Sequence, residues 1–90
     1  MNKDQIYTVI AVSFNTNSFG LKSILLLSSS GDGLEVLKSP YAGDKLPSPG
    51  DDVTLNRLGS YECPRELPAV DSRTASKIIR TYKKKARVTA

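Results

Sequence analysis

The sequence contains no histidine, which removes the commonest side chain for proton transfer near neutral pH. The same absence excludes Ser-His-Asp and Cys-His catalytic arrangements. A zinc site built from cysteine and histidine is also excluded, because Cys63 is the single cysteine of the chain. We therefore expect a protein that is not an enzyme and that holds no metal or other cofactor.

The sequence also lacks the features of secreted and membrane proteins. One cysteine cannot form an internal disulfide, so a reducing, cytoplasmic location is the natural expectation. No apolar run approaches the roughly 20 residues that span a bilayer, and we expect no membrane insertion. The first five residues are polar, and Tyr7 and Thr8 interrupt the apolar run that follows, so no signal peptide is expected.

Aromatic residues are scarce, since the chain has no tryptophan and two phenylalanines. With 39% apolar and 24% charged residues, a chain of 90 residues is expected to form a single domain, residues 1–90, around one small core. That core has to consist mainly of isoleucine, leucine and valine.

Alternation of apolar residues predicts four strands, at 6–14, 21–28, 34–38 and 52–58. In the first, Ile6, Ile10, Val12 and Phe14 share one face, and Tyr7 and Val9 share the other. Asn- and Gly-containing turns at 15–20 and 29–33 join the first three strands, so these form an antiparallel meander. Leu21–Ser28 is apolar on both faces, which indicates a central or covered strand.

Proline marks the irregular parts of the chain. A Pro-rich loop spans Ser39–Gly50, and a Pro-containing connector, 59–71, precedes the last element. A fifth short strand is expected at Ser60–Glu62 or at 87–89, and the pattern does not decide between them. The fold class is thus mainly β: residues 6–58 form a small, antiparallel, partly open barrel, either SH3-like or OB-like (oligonucleotide-binding).

The segment 72–87 has the pattern of an amphipathic helix. Apolar residues recur at helical spacing on one side: Ala75, Ile78, Ile79, Tyr82 and Ala86. Basic residues recur on the opposite side: Arg73, Lys77, Arg80, Lys84 and Arg87. Asp71 or Ser72 is suited to cap the start, the apolar stripe is expected to close an open end of the barrel, and the run Lys83–Lys85 is expected to fray.

Charge divides the chain into an acidic body and a basic end. Residues 1–71 carry six basic and nine acidic side chains, a balance of −3, whereas 72–90 carry seven basic and no acidic ones. Such asymmetry is typical of proteins with an anionic partner. The alternative, left open, is that the basic stripe neutralises the acidic body.

Binding to DNA or RNA without strong sequence specificity is the leading hypothesis, because clustered cations on a helix neutralise phosphates. The predicted contacts are the five stripe residues together with Lys22 and Arg57. Tyr7, Phe19 and Tyr41 are candidates for a stacking surface; the alternatives are a structural role for Tyr7 and a loop-anchoring role for Phe19. A cation bound by Asp44, Asp51 and Asp52 is also conceivable, but an Asp pair after Pro49-Gly50 is ordinary turn chemistry.

The alternative hypothesis is a protein-interaction or adaptor module. In it, the two-sided apolar strand Leu21–Ser28 contacts a partner or forms a homo-oligomer, and the basic helix steers the domain towards an acidic protein.

Overall fold

The computed structural model describes residues 4–41 and 46–88, with side chains as far as Lys84. Within these residues the chain forms five strands and two helices. In chain order they are β1 (Tyr7–Val12), β2 (Lys22–Leu27), β3 (Gly33–Lys38), β4 (Asp52–Val53), α1 (Leu55–Leu58), β5 (Glu62–Leu67) and α2 (Ser72–Val88). The prediction of a mainly β protein with a C-terminal helix is confirmed.

The five strands form one antiparallel sheet in the order β4-β1-β2-β3-β5. The predicted meander occupies its centre, since short connections pair β1 with β2 and β2 with β3. In the described residues β4 and β5 each pair on one side, so the sheet has two edges and does not close. The predicted barrel, whether SH3-like or OB-like, is therefore not confirmed.

The main core lies on one face of the sheet. Alternate residues of the three central strands point to this face, as the two-residue period of a strand requires, and α1 adds two leucines. The cluster consists of Tyr7, Val9, Ile24, Leu26, Leu34, Val36, Leu55 and Leu58, each at most 4% exposed. At the end of the β3 row Lys38 is 1% exposed, and its Nζ donates to the Ser60 carbonyl at 2.8 Å.

A β-bulge at Ile10 explains why the predicted faces of β1 differ from the observed ones. The register with β2 changes between Val9 and Ala11. The extra residue shifts the alternation, so Val9 before the bulge and Val12 after it both pack on the same core. Ile6, predicted to share a face with Val12, is instead exposed.

The predicted strand 52–58 is two elements in the structure: β4 has two residues, and α1 follows it. The Thr54 hydroxyl caps this helix by accepting a hydrogen bond from the Arg57 N–H at 3.2 Å. Leu55 and Leu58 are both buried. Residues three apart lie on the same side of a helix but on opposite sides of a strand, so the helix alone brings both leucines into the core.

The predicted connector 59–71 contains the fifth strand. β5 pairs with β3 and begins at the last residue of one predicted location, Ser60–Glu62. The other predicted location, 87–89, is helical through Val88, and Thr89 lies outside the described residues. Proline within β5 is compatible with its place at an edge, where a missing N–H leaves no ladder bond unmade.

Helix α2 lies on the sheet face opposite the main core and contacts β1. It starts beside the β2–β3 turn, where the Val70 N–H donates to the Gly31 carbonyl at 3.1 Å. Further along, Lys83 forms an ion pair with Asp52 of β4. The helix therefore crosses the sheet from the β2–β3 turn to the β4 edge.

The predicted apolar stripe of α2 packs on this second face instead of closing the end of a barrel. Thr8 and Leu27 are opposite each other on β1 and β2, facing away from the main core, and both are buried. Above them the stripe residues are buried or half-buried: Ala75, Ile78, Ile79 and Tyr82. The side chain of Ala86 lies outside the described residues.

Candidate functional site

The first turn of α2 is fixed by Asp71, one of the two predicted N-caps. Its carboxylate accepts hydrogen bonds from the Thr74 N–H at 3.3 Å and from the Thr74 hydroxyl, and its carbonyl accepts from the Ala75 N–H at 3.0 Å. The bonds from the Thr74 hydroxyl and N–H lower the pKa of Asp71. A negative charge here also suits the helix macrodipole.

Near its other end α2 is anchored by an ion pair. The Lys83 Nζ lies 2.8 Å from Asp52 Oδ2, and Asp52 Oδ1 accepts the Thr8 hydroxyl at 2.8 Å. Burial on its own would raise the pKa of Asp52, but the bonds from Lys83 and Thr8 and the Lys83 charge lower it overall. The lysine run that was expected to fray thus has one member bound to the sheet, and the helix continues to Val88.

Four predicted cations form an exposed surface on α2, which we call the basic face: Arg73, Lys77, Arg80 and Lys84. Their spacing of three and four residues places them on one side of the helix. None of them forms an ion pair within residues 4–41 and 46–84. The side chain of Arg87, the fifth predicted cation, lies outside the described residues.

The two predicted contacts from the body, Lys22 and Arg57, lie apart from the basic face. Lys22 opens β2, is half-buried and is paired with Lys38. Arg57 is exposed on α1, which packs on the core face of the sheet, whereas α2 lies on the other face. The predicted residues therefore do not form one continuous surface.

Of the two roles predicted for Tyr7, the structure agrees with the structural one, and Tyr7 is not available for stacking. Its side chain belongs to the core and is 4% exposed. The hydroxyl donates to Gln5 Oε1 at 3.3 Å. Burial, followed by the charges of Asp32 and Glu66, raises the pKa of Tyr7.

The other two stacking candidates are exposed, and a third aromatic residue joins them. Phe19 is 83% exposed, Tyr41 is 88% exposed and Phe14 is 92% exposed. Phe14 was predicted within the first strand, but β1 ends at Val12 and leaves it in the β1–β2 loop. We call these three residues the aromatic end.

The sheet topology places the three aromatic residues at the same end of the sheet. β1 and β3 are both antiparallel to β2, so they run in one direction and finish together. Phe14 and Phe19 follow β1, and Tyr41 follows β3. Lys22, as the first residue of β2, begins at this end as well. Sequence periodicity alone did not indicate that Phe14 is exposed, because Phe14 continues the alternation of Ile10 and Val12.

The aspartates considered for a cation are used by the fold. Asp51 Oδ2 accepts the Ser48 N–H at 2.9 Å, which closes the Pro49-Gly50 turn. Asp52 is bonded to β1 and α2, and Asp44 lies outside the described residues. In the part of the chain that the structure covers, no three His, Cys, Asp or Glu side chains are grouped as metal ligands.

Neither edge of the sheet is well suited to receive another strand. β4 has two residues. In β5 Pro64 has no N–H to donate, Cys63 has a φ of +51°, and the register with β3 shifts between Glu35 and Leu37. Short strands, prolines and bulges all discourage edge pairing. The strand of the adaptor hypothesis, β2, is central, so any partner there has to contact a face of the sheet.

Neither helix, as far as the structure describes them, is long and apolar enough to cross a bilayer. Comparison with protein-family models, with curated proteins and with solved structures finds no match for the chain. The basic face of α2 and the aromatic end are the two surfaces from which a function is inferred below.

Proposed function

We propose that the protein binds DNA or RNA, without strong sequence specificity, through the basic face of α2. The observation that carries this proposal is that four cations share one exposed helix face with no acidic partner in the described residues. Two acidic side chains reach the helix in the described residues, and neither pairs with the basic face: Asp71 caps the first turn through Thr74, and Asp52 pairs with Lys83. Release of counterions from neutralised phosphates supplies free energy for binding.

The basic face is long and firmly held. Arg73 and Lys84 are eleven residues apart, which corresponds to about 16 Å of helix axis. Asp71 caps one end of the helix, and Asp52 binds Lys83 near the other. Cations on an anchored helix lose less conformational freedom on binding than cations on an unstructured tail.

Weak sequence specificity follows from the groups that α2 exposes. Thr74 and Thr81 lie on its exposed side, but their hydroxyls donate to the Asp71 carboxylate and the Lys77 carbonyl. The cations of the basic face are thus the main groups available to a ligand. Contacts from such cations to phosphates position a nucleic acid without reading its bases.

The test is binding of a labelled, mixed-sequence DNA duplex measured by fluorescence anisotropy at several salt concentrations. For the wild type, log K is expected to fall linearly with log salt, with a slope of about −0.9 for each phosphate contacted. Substitution of the basic face by serine (R73S, K77S, R80S and K84S together) is expected to abolish binding while the circular dichroism spectrum is retained. No binding by the wild type at low salt would overturn the proposal.

Two single substitutions on the same helix provide a matched control. K77S and K83S change the net charge equally, but Lys77 is on the basic face and Lys83 is paired with Asp52. K77S is expected to reduce the salt slope by about one phosphate, whereas K83S leaves the slope unchanged. Equal effects would show that net charge, and not the basic face, determines affinity.

The adaptor hypothesis is distinguished by the chemistry of the polyanion. An acidic protein and a nucleic acid both carry negative charge, but the first presents carboxylates and the second presents phosphates. Competition with polyglutamate is therefore part of the test. If polyglutamate displaces the duplex at equal charge concentration, the nucleic-acid proposal is contradicted and an acidic protein partner is favoured.

A further inference from the structure

We infer that the aromatic end binds unpaired bases, so that single-stranded nucleic acid is the preferred ligand; this inference rests on the proposed function. Both phenylalanines of the chain, and Tyr41, project into solvent. An aromatic ring left in water forgoes the free energy that its burial would release. Three aromatic rings are exposed in this way at one end of the sheet, although the core contains few aromatic residues.

The exposure of the two phenylalanines is imposed by an ordered loop. The Asn17 N–H donates to the Leu21 carbonyl at 2.8 Å. The side-chain Oδ1 of Asn17 accepts from the N–H groups of Phe19 and Leu21 at 2.9 and 3.0 Å. The loop is therefore held by its own hydrogen bonds, and Phe14 and Phe19 are displayed on it. The backbone that carries the rings is thus ordered before a ligand binds, which reduces the cost of ordering the loop on binding.

A small hollow adjoins the loop at the same end of the sheet. Its volume is about 170 Å³, below the range of about 300–1,000 Å³ typical of small-molecule sites. The wall is mainly apolar and also includes polar residues and one acidic side chain; it is formed by Leu21, Leu37, Lys38, Ser39, Ser60, Tyr61 and Glu62. Leu21 ends the β1–β2 loop and Ser39 comes two residues before Tyr41. The hollow suits one ring system beside the exposed aromatic residues.

Unpaired bases match this surface better than a protein partner does. The residues between Phe14 and Phe19 are Asn, Thr, Asn and Ser, so the rings are set in polar surroundings and do not continue a contiguous apolar patch. Residues 13–22 carry no acidic side chain, and Lys22 contributes a cation. Every base has a π-face that stacks on an aromatic ring, which agrees with weak sequence specificity.

A duplex cannot use the aromatic end in the same way. Paired bases are stacked on one another and present edges, not faces, in the grooves. To extrude a paired base, the duplex has to unstack and unpair it, which is unfavourable. A base in a single strand is already unpaired. Single strands are thus expected to contact both surfaces, and duplexes the basic face alone.

The two surfaces are close enough for one strand. α2 ion-pairs with Asp52, which is opposite Thr8 on β1, and the aromatic end begins after Ser13. The five residue steps from Thr8 to Ser13 span about 17 Å of extended chain. Single-strand sites of comparable domains cover about 4–16 nucleotides, so a strand of about 20 nucleotides reaches from one surface to the other.

The experiment compares three ligands of equal length: a 20-nucleotide single strand, the corresponding duplex, and a strand of abasic sugar-phosphate units. The wild type is expected to bind the single strand at least about tenfold more tightly than the abasic strand. In the triple variant F14S/F19S/Y41S this difference is expected to disappear, while duplex affinity and its salt slope stay unchanged. The variant F14Y/F19Y, which keeps the rings, is expected to bind as the wild type does.

The control is I6S, which removes an exposed apolar side chain away from the aromatic end and is expected to change none of the affinities. Equal affinity of the wild type for normal and abasic strands would overturn the inference while leaving the proposed function intact. Failure to bind any of the three ligands would overturn the proposed function instead. Loss of binding to anionic vesicles in the triple variant, with unchanged nucleic-acid binding, would show that the rings contact lipid and would also overturn the inference.

Discussion

The central meander has two connections between antiparallel strands, and they differ in what they contact. In the β2–β3 turn, residues 28–32, Ser28 and Gly31 are buried. Ser28 is 2% exposed, and its hydroxyl accepts the Asp32 N–H at 3.1 Å. Gly31 is buried, and its carbonyl accepts the Val70 N–H at the start of α2. This turn is where the helix is joined to the sheet.

The β1–β2 loop, residues 13–21, is also held by hydrogen bonds, but these lie within its own hairpin. The hydrogen bonds of Asn17 connect it to Phe19, Gly20 and Leu21. No other element covers Phe14 or Phe19 in the described structure. The β1–β2 loop is thus ordered but exposed, whereas the β2–β3 turn is partly buried and supports the fold. The two connections should therefore respond differently to substitution.

Replacing Gly31 by alanine is expected to have the largest effect. The new Cβ would lie 1.9 Å from the Val70 carbonyl oxygen, and Gly31 has a φ of +101°, which side chains other than glycine rarely adopt. The backbone has to move, and the α2 attachment moves with it. We expect a loss of roughly 2–4 kcal/mol in the free energy of unfolding, measured by urea denaturation.

Gly20 provides the matched control in the other connection. Its φ is +78°, but apart from its two chain neighbours no residue has a heavy atom within 4 Å of the position that an alanine Cβ would occupy. Gly20→Ala therefore introduces strain without a collision and is expected to cost about 1–2 kcal/mol. If Gly20→Ala destabilised the protein as much as Gly31→Ala, the distinction between the two connections would be unfounded.

Acid is expected to weaken the attachment of α2 by a smaller amount. The pKa of Asp52 is lowered in the folded protein, so its contribution is complete above the ordinary aspartate pKa of about 3.9 and is lost as the pH falls through the folded value. Asp52 is 45% exposed, which limits the Lys83 pair to less than about 1 kcal/mol.

The measurement compares the wild type with Asp52→Asn between about pH 6 and pH 2. The variant is expected to be slightly less stable at pH 6 and to lose less stability on acidification, so that the two curves converge. Parallel curves would show that Asp52 does not help to hold the helix. Lys83→Ser, measured alongside, is expected to show a smaller convergence, because Asp52 keeps its hydrogen bond from Thr8.

Sequence periodicity was sufficient to predict the elements in which a single strand or helix pattern dominates. The meander and α2 follow from alternation and from a two-sided helical stripe, and the basic face follows from the same stripe. Four of its residues are exposed on the helix side opposite to Ala75. These features depend on local spacing, which a single sequence displays directly.

The other features of the fold depend on tertiary contacts, which the spacing of residues in the sequence does not show. The bulge at Ile10 shifts the alternation of β1 between Val9 and Ala11, so Tyr7 and Val9 before it share the core with Val12 after it. Leu55 and Leu58 look compatible with a strand until the Thr54 cap is considered. β5 forms despite Pro64 because its place is at an edge, and edge position is a property of the whole sheet.

The smallest expected effect on stability is that of the aromatic end itself. Phe14→Ser and Phe19→Ser remove rings that are 92% and 83% exposed, so little apolar burial is lost. We expect each to change the free energy of unfolding by less than about 0.5 kcal/mol, with an unchanged urea m-value. A loss of more than about 1 kcal/mol would mean that the rings support the fold. A negligible loss would show that the two rings can be substituted in binding experiments without disturbing the fold.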